Sequence, residues 1–316
     1  IFKTLKSMTV MGAKWYVVIN PTSGNGVAKK QWKPIYNELK NQEFCFDFAF
    51  TEHKKHSVIL LKNALEQGIT KFICVGGDGT LHTIVNGILS INPPNLSAIK
   101  LGIIPVGTAN DWVKTYKISN DYKKAIQTLK AEFTIKQDIG KLSINENNST
   151  VYFNNLAGIG FDGFVVNKVH KFKYLGFLAY LTGALLSIAT YKKSNLEIKF
   201  NDIEIKEKTL MLLIGICKYS GGGMQLTQNA NPTDGLFDIS HINKVNLITI
   251  LRNIGGLFNG NITNHKLVKN YKTSTLKVTD LDTQITYIQA DGELVGSGSF
   301  EAEILPGSFN FIVPNF

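Results

Sequence analysis

The sequence predicts a chain of the α/β plus all-β class. An N-terminal layer is built on a parallel sheet, and a C-terminal layer resembles an antiparallel β-sandwich. Three observations carry this reading. Apolar runs in the first half end in glycine-rich turns and are followed by helical periodicity, the rhythm of strands joined by crossover helices. Past Ile139 the texture changes to short β segments separated by Asn, Gly and Asp turns. With 316 residues and 44% hydrophobic content, the chain can bury a sizeable core, which excludes disorder.

Lys14–Asn20 reads as a buried strand that Gly24–Gly26 breaks. Val27–Leu39 has helical spacing with Trp32, Ile35 and Leu39 inward, and Pro34 predicts a late start or a kink. Cys45–Thr51 alternates as a strand. Ser57–Gly68 is a helix with Ile59, Leu60, Ala64 and Leu65 inward and Gly68 as its stop. Lys71–Val75 is an apolar strand, Thr80–Leu89 a helix, and Leu101–Pro105 a third apolar strand, followed by a turn and another helix. The β segments that follow are Leu142–Ile144, Val151–Asn155, Leu196–Phe200, Ile203–Ile205, Thr209–Ile216, Leu236–Ile242, Ser274–Val278, Ile285–Ala290 and Phe300–Leu305, and Asn310–Val313 is a further short strand that fits either layer. Helical patches interrupt them at Val165–Tyr191 and Val245–Leu257. The expected domains are 13–138 for the α/β layer, with 307–316 available to complete it, and 139–306 for the β-rich layer.

Lys and Arg number 34 against 24 Asp and Glu, a net charge of +10, which suggests an anionic partner. Arg252 is the only arginine, so the charge is lysine, a point charge rather than a bidentate fork. That argues against sequence-specific nucleic-acid reading and against an arginine finger. Cys45, Cys74 and Cys217 are widely separated, and the latter two sit in apolar runs. They read as buried thiols in a reducing compartment, and no signal-peptide core follows the first lysines, so a cytoplasmic protein is expected. Tyr174–Tyr191 is uncharged over 18 residues but rich in Gly, Thr, Ser and Tyr, which suits a buried or groove-lining helix better than a membrane span.

Three turns carry chemistry: Asn20-Pro21-Thr22-Ser23-Gly24, Gly76-Gly77-Asp78-Gly79-Thr80 and Gly107-Thr108-Ala109-Asn110-Asp111. Glycine lets backbone N–H groups approach phosphate oxygens, and a following helix N-terminus adds partial positive charge. None of them is a Walker loop, and the first lacks the third glycine of a dinucleotide fingerprint. Singly each is weak; at the ends of successive strands they reinforce one another. The six histidines have no metal spacing, and no nucleophile elbow appears.

These turns resemble the nucleotide loops of the diacylglycerol kinase catalytic family, in its bacterial soluble lipid kinase branch, related to sphingosine kinases and NAD kinases. The likeness continues in order through Asn155–Asp162, Gly221–Met224, Asn231–Asp238 and Asp291-Gly292-Glu293. Two departures stand out. His82-Thr83 replaces the family's Asn-Glu, which removes a carboxylate, and Lys114 stands at its usual Arg.

The resemblance implies an ATP- and Mg²⁺-dependent transferase that phosphorylates diacylglycerol or a related lipid in phospholipid biosynthesis. It implies that Asn20, Pro21, Thr22, Ser23, Gly24, Thr51, Gly77, Asp78, Gly79, Thr80 and Thr108 bind the nucleotide. Asp78 and Asp111 would face a water and Mg²⁺ network, and Glu293 would be the general base. Asn231, Asp234 and Leu236 would hold a structural Mg²⁺, which typically takes few protein carboxylates. A peripheral site on an anionic membrane, aided by Lys168, Lys171, Lys173, Lys192 and Lys193, and a homodimer are further expectations. The alternatives are a small-molecule kinase of the NAD kinase type, which shares Gly-Gly-Asp-Gly-Thr, and a non-catalytic nucleotide- or lipid-binding regulator.

Overall fold

The computed structural model describes residues 14–53, 56–107, 109–169, 183, 187–188, 190–243 and 247–315. In the N-terminal part, β1 (Trp15–Ile19), β2 (Phe46–Phe50), β3 (Lys71–Gly76) and β4 (Lys100–Pro105) form a parallel sheet in the order β2-β1-β3-β4. The crossover helices are α1 (Val27–Asn41), α2 (His56–Glu66) and α3 (Asp78–Ile91), followed by the short α4 (Asp111–Thr115) and by α5 (Tyr122–Ala131). β3 and β4 are apolar along their length because both faces are covered, and they bury every residue but their first.

The helix α1 runs unbroken through Pro34. Gly26, left-handed at φ 86°, starts it, and burial of Ala28, Trp32, Ile35 and Leu39 outweighs the hydrogen bond that the proline cannot donate. On α2 the inward stripe is Ser57, Leu61 and Ala64, whereas Ile59 is 53% exposed. The stripe is turned by close packing on α3, where a Cβ on Gly87 would lie 2.8 Å from Leu61 Cδ1. The patch 245–257 breaks at Asn253 into Leu247–Arg252 and Ile254–Asn259. Of the patch 165–191, α6 (Phe161–Val169) is described, and most of the Tyr174–Tyr191 stretch lies outside the described residues. Among the described residues no helix is long and apolar enough to cross a membrane.

Two long strands join the parts. β5 (Thr134–Ile144) pairs antiparallel with β18 (Phe300–Ile312) along nearly all its length. β18 also pairs parallel with β4 at Asn310 and Phe311, and antiparallel with β15 (Thr275–Asp280) nearer its start. A ten-stranded sheet therefore runs from β2 to β9 (Ile203–Thr209) through β8 (Ser194–Phe200), with β6 (Ser149–Phe153) on β5. Both expected domain boundaries, 138/139 and 306/307, fall inside these continuous strands.

A two-stranded ribbon pairs β11 (Tyr219–Ser220) with β12 (Met224–Gln225). A second, six-stranded antiparallel sheet has, in order, β14 (Val268–Thr273), β13 (Phe237–Ile242), β10 (Met211–Gly215), β7 (Leu156–Gly160), β16 (Tyr287–Ala290) and β17 (Glu293–Ser297). β7 and β13 are buried at every position. The two sheets share one core in which Phe153 stacks on Phe237 with ring centres 5.7 Å apart. Trp112 packs on Phe311 beneath the functional turns.

Candidate active site

The three glycine turns lie together at the carboxyl ends of β1, β3 and β4. They are cross-tied. Asn20 Nδ2 donates to Thr80 Oγ1 at 3.1 Å, and the Ser23 and Thr80 hydroxyls are 3.1 Å apart. A Cβ on Gly76 would lie 2.5 Å from Thr80 Oγ1, and one on Gly107 would lie 2.5 Å from Asn110 Oδ1. Glycine at both positions lets each turn close on itself, and the second and third turns meet where a Cβ on Gly107 would lie 3.0 Å from Gly77 Cα.

Asn20, Thr22, Ser23, Gly24, Thr51, Gly77, Gly79 and Thr80 line a cleft of about 530 Å³, with Glu293 on its wall. Pro21 sits in the first turn, and Thr108 lies outside the described residues. Thr83, which stands where a carboxylate was expected, also lines this cleft and donates its hydroxyl to Gly79 O at 2.8 Å.

An adjoining cavity of about 550 Å³ shares Gly77, Gly79 and Glu293 with the first. It runs between Asp78, Asp111, Asp162 and Asp291 toward apolar walls that include Leu156, Val166 and Met224. Glu293 stands at the seam, and its Oε1 is 3.1 Å from where a Cβ on Gly79 would be. The site is thus a cleft lined by glycines and hydroxyl-bearing residues that adjoins a second chamber with Leu156, Val166 and Met224 on its wall, with a carboxylate between them.

Asp78 starts α3. Its Oδ2 accepts from Asp111 N at 2.9 Å and its Oδ1 from Trp112 N at 3.1 Å. Burial, and secondarily the neighbouring Asp111 charge, push its carboxyl up to about 6 against the pull of those two backbone bonds. Asp111 is held by Lys114 Nζ at 2.7 Å and by Gly222 N at 2.7 Å. Asp162 is likewise pushed up to about 6 by burial, opposed by the Gln289 amide that donates to it.

A ring of hydrogen bonds surrounds the carboxylates. From Asp78 it passes to Trp112, whose indole N–H reaches Gln137 Oε1 at 2.9 Å. Gln137 Nε2 donates to Asn154 O at 2.6 Å, and Asn154 N to Asp291 Oδ2 at 3.0 Å. His82 Nδ1, 2.9 Å from Asp291 Oδ2, returns the ring to α3. Sequence reasoning left Gln137, Asn154 and Asp162 unassigned. The available signals are His82, as a departure from the resembling family, and Asp162, which closes the Asn155–Asp162 stretch of the likeness.

The described residues contain no cluster of three or more His, Cys, Asp or Glu able to hold a metal. Asp78 and Asp111 already have their oxygens engaged, so they suit a Mg²⁺ contacted through water and carried by its own phosphate ligands. In the loop 231–236, Asp234 Oδ1 accepts from Leu236 N, and its Oδ2 lies 2.9 Å from Lys272 Nζ. Lys272 also lies 3.1 Å from Asp238. This loop therefore already holds a positive charge, and the donor set fits Mg²⁺ only with Lys272 displaced. Asp138 pins the loop by accepting from Gly235 N at 2.7 Å and from Gly307 N at 2.7 Å.

Residues 14–142 match the diacylglycerol kinase catalytic domain, and residues 155–313 match the YegS C-terminal NAD kinase beta sandwich-like domain. The chain is 30% identical over 240 residues to the Bacillus subtilis protein YtlR, whose name assigns it provisionally as a lipid kinase; the match covers 71% of this chain and 76% of that protein. It is 28% identical over 295 residues to a diacylglycerol kinase of Staphylococcus saprophyticus, covering 93% and 90% of the two. A crystal structure titled as a diacylglycerol kinase from Bacillus anthracis str. Sterne superposes with a TM-score of 0.72 at 19% identity, covering 96% and 97% of the two chains, a likeness of fold.

Proposed function

The chain belongs to the diacylglycerol kinase catalytic family and is a kinase, and we propose that it transfers the γ-phosphate of ATP to the hydroxyl of diacylglycerol or a related lipid, giving phosphatidic acid or its equivalent. The observation that best supports this is the seam. Glu293 overhangs Gly79 where a glycine-walled polar cleft meets a chamber with apolar walls.

In this reading the backbone of Gly24, Gly77 and Gly79, the hydroxyls of Thr22, Ser23 and Thr80 and the amide of Asn20 bind the phosphates. Pro21 shapes the first turn, Thr51 lies toward the nucleoside, and Thr108 adds a hydroxyl from the third turn. Asp78 and Asp111 would hold Mg²⁺ by way of water, and the ion would supply charge neutralisation on the phosphates. The acceptor's headgroup lies by Asp162 and Gln289 and its chains against Leu156, Val166 and Met224. Glu293 accepts the hydroxyl proton as the new O–P bond forms and the bond to the β-phosphate oxygen breaks, releasing ADP. The proton then passes from Glu293 to solvent.

Lys192 and Lys193 are exposed, and with Lys168 they suit a peripheral position on an anionic, cytoplasmic leaflet. Binding to anionic vesicles should fall as salt rises; salt-independent binding would refute that placement.

The deciding assay mixes the purified chain with ATP, Mg²⁺ and diacylglycerol in mixed micelles, with parallel glycerolipid and sphingosine arms. Phosphorylated lipid is the expected result, and its absence from every arm overturns the reading. The NAD kinase-like description of the matched C-terminal domain favours one further arm with NAD as acceptor. Phosphorylation of NAD alone would make the chain a small-molecule kinase.

A further inference from the structure

Resting on the proposed phosphoryl transfer, we infer that His82 is a positioning residue. It holds the Asp291-Gly292-Glu293 turn at the height where Glu293 overhangs Gly79. His82 is 8% exposed, stands one helical turn after Asp78 on α3 and lines neither cavity. Its Nδ1 is 2.9 Å from Asp291 Oδ2. Because this oxygen also accepts the Asn154 N–H, the bond assigns His82 the tautomer with its proton on Nδ1.

Asp291 needs holding. It is left-handed at φ 50°, a strained conformation for a residue with a side chain. Its carboxylate accepts from Asn154, Asn155 and Leu156 N–H groups, and its own N–H donates to Leu156 O at 2.8 Å. Those bonds anchor the turn to the bend before β7. The bond from His82 comes from the helix that starts at the nucleotide turn. One turn further along α3, Asn86 clamps β6: its Oδ1 accepts from Tyr152 N at 2.8 Å and its Nδ2 donates to Tyr152 O at 2.6 Å.

Residues four apart on a helix share a face. Asp78, His82 and Asn86 therefore form a ruler along α3 that sets the phosphate turn, the Glu293 turn and β6 at fixed heights. General-base catalysis depends on such spacing, since a misplacement near 1 Å can cost on the order of 100-fold in rate.

The test compares three substitutions. In His82→Asn the side-chain Nδ2 falls where the imidazole Nδ1 stands, so the bond to Asp291 is kept. In His82→Gln the amide reaches too far, and His82→Leu fills the space without a donor. The expected result is a kcat within about threefold of wild type for His82→Asn and a fall on the order of 10- to 100-fold for the other two. The KM for ATP should stay within about twofold throughout, because the nucleotide cleft is untouched.

Hydrogen exchange supplies a readout that does not depend on turnover. The amides of Asn154, Asn155 and Leu156 should lose protection in His82→Gln and His82→Leu and keep it in His82→Asn. Equal kcat in all three variants, or a loss confined to the ATP KM, overturns the proposal. If wild type phosphorylates no lipid, the lipid-kinase reading fails by itself. The exchange pattern then decides the positioning role, and unchanged protection in His82→Gln and His82→Leu rejects it.

Discussion

Replacing Asp78 by Asn should raise the relative stability of the protein as the pH rises, while removing most of its activity. The carboxyl is pushed from 3.8 to about 6 in the folded chain by burial and by the neighbouring Asp111 charge. A group whose folded value lies above its unfolded value favours folding while protonated. That contribution is intact below pH 3.8 and is lost as the pH rises through about 6. At pH 8 the ionised group therefore costs at most about 3 kcal/mol, at about 1.4 kcal/mol for each pH unit of displacement. Between pH 5 and pH 8 the loss is on the order of 1 kcal/mol.

Asparagine brings a fixed offset, because its NH₂ group faces one of the two backbone N–H groups that now bond the carboxylate. That offset does not titrate. The decisive measurement is therefore the stability gap between wild type and Asp78→Asn, read by urea unfolding at pH 5 and at pH 8. The gap should move toward the variant by on the order of 1 kcal/mol at the higher pH. A gap equal at both values would refute the argument that this carboxylate is held ionised against its surroundings. Groups held in this way are typical of functional sites.

Other outcomes follow from the same geometry. Glu293→Gln should cut kcat by on the order of 100-fold or more, as removal of a general base does, with nucleotide binding by calorimetry unchanged; near-full turnover would reject the base role. Gly79→Ala should lower activity, since the new Cβ would stand 3.1 Å from Glu293 Oε1, with the melting temperature little changed because Gly79 is the second residue of α3 and not in its interior. An unaltered rate in that variant would show that Glu293 does not work from this position. Lys272→Met frees the Asp234 and Asp238 carboxylates, so equilibrium dialysis should find tighter Mg²⁺ binding than in wild type; equal binding would show that the lysine does not occupy a cation position.

The parts of the fold that could be read in the sequence are those whose cause is local. Each strand–glycine–helix turn carries its own evidence, because an apolar run, a tight turn and a new period lie within a few residues. Glu293 and the three turns could be found for the same reason, once a resemblance tied them together. The bonds that assemble them could not. His82 and Asp291 are 209 residues apart, and Gln137 meets Trp112 and Asn154 through side chains that no periodicity marks. The phase of α2 was misread at Ile59 because its inward face is chosen by the approach of α3 at Gly87, a contact between helices.

The last strand departs from its sequence pattern for a reason that is also not local. Phe300–Leu305 and Asn310–Val313 read as two short strands, yet they are the two ends of one strand, β18, which runs on through Pro306-Gly307 to Ile312. Its register on β5 shifts between Leu305 and Phe309, and Asp138 accepts from Gly307 N within that interval. The irregularity lets one strand keep β5 along its length while exchanging β15 for β4 as its other neighbour. Because Asp138 also holds Gly235, the same carboxylate fixes the loop 231–236 to the point where the two layers are stitched. The glycine turns sit at the carboxyl ends of β1, β3 and β4, and the Glu293 turn follows β16 in the second sheet. Their separation is thus set by strand pairing and by the ring through Gln137 and Asp291. The distance between the glycine turns and Glu293 is in this way built when the sheets pair.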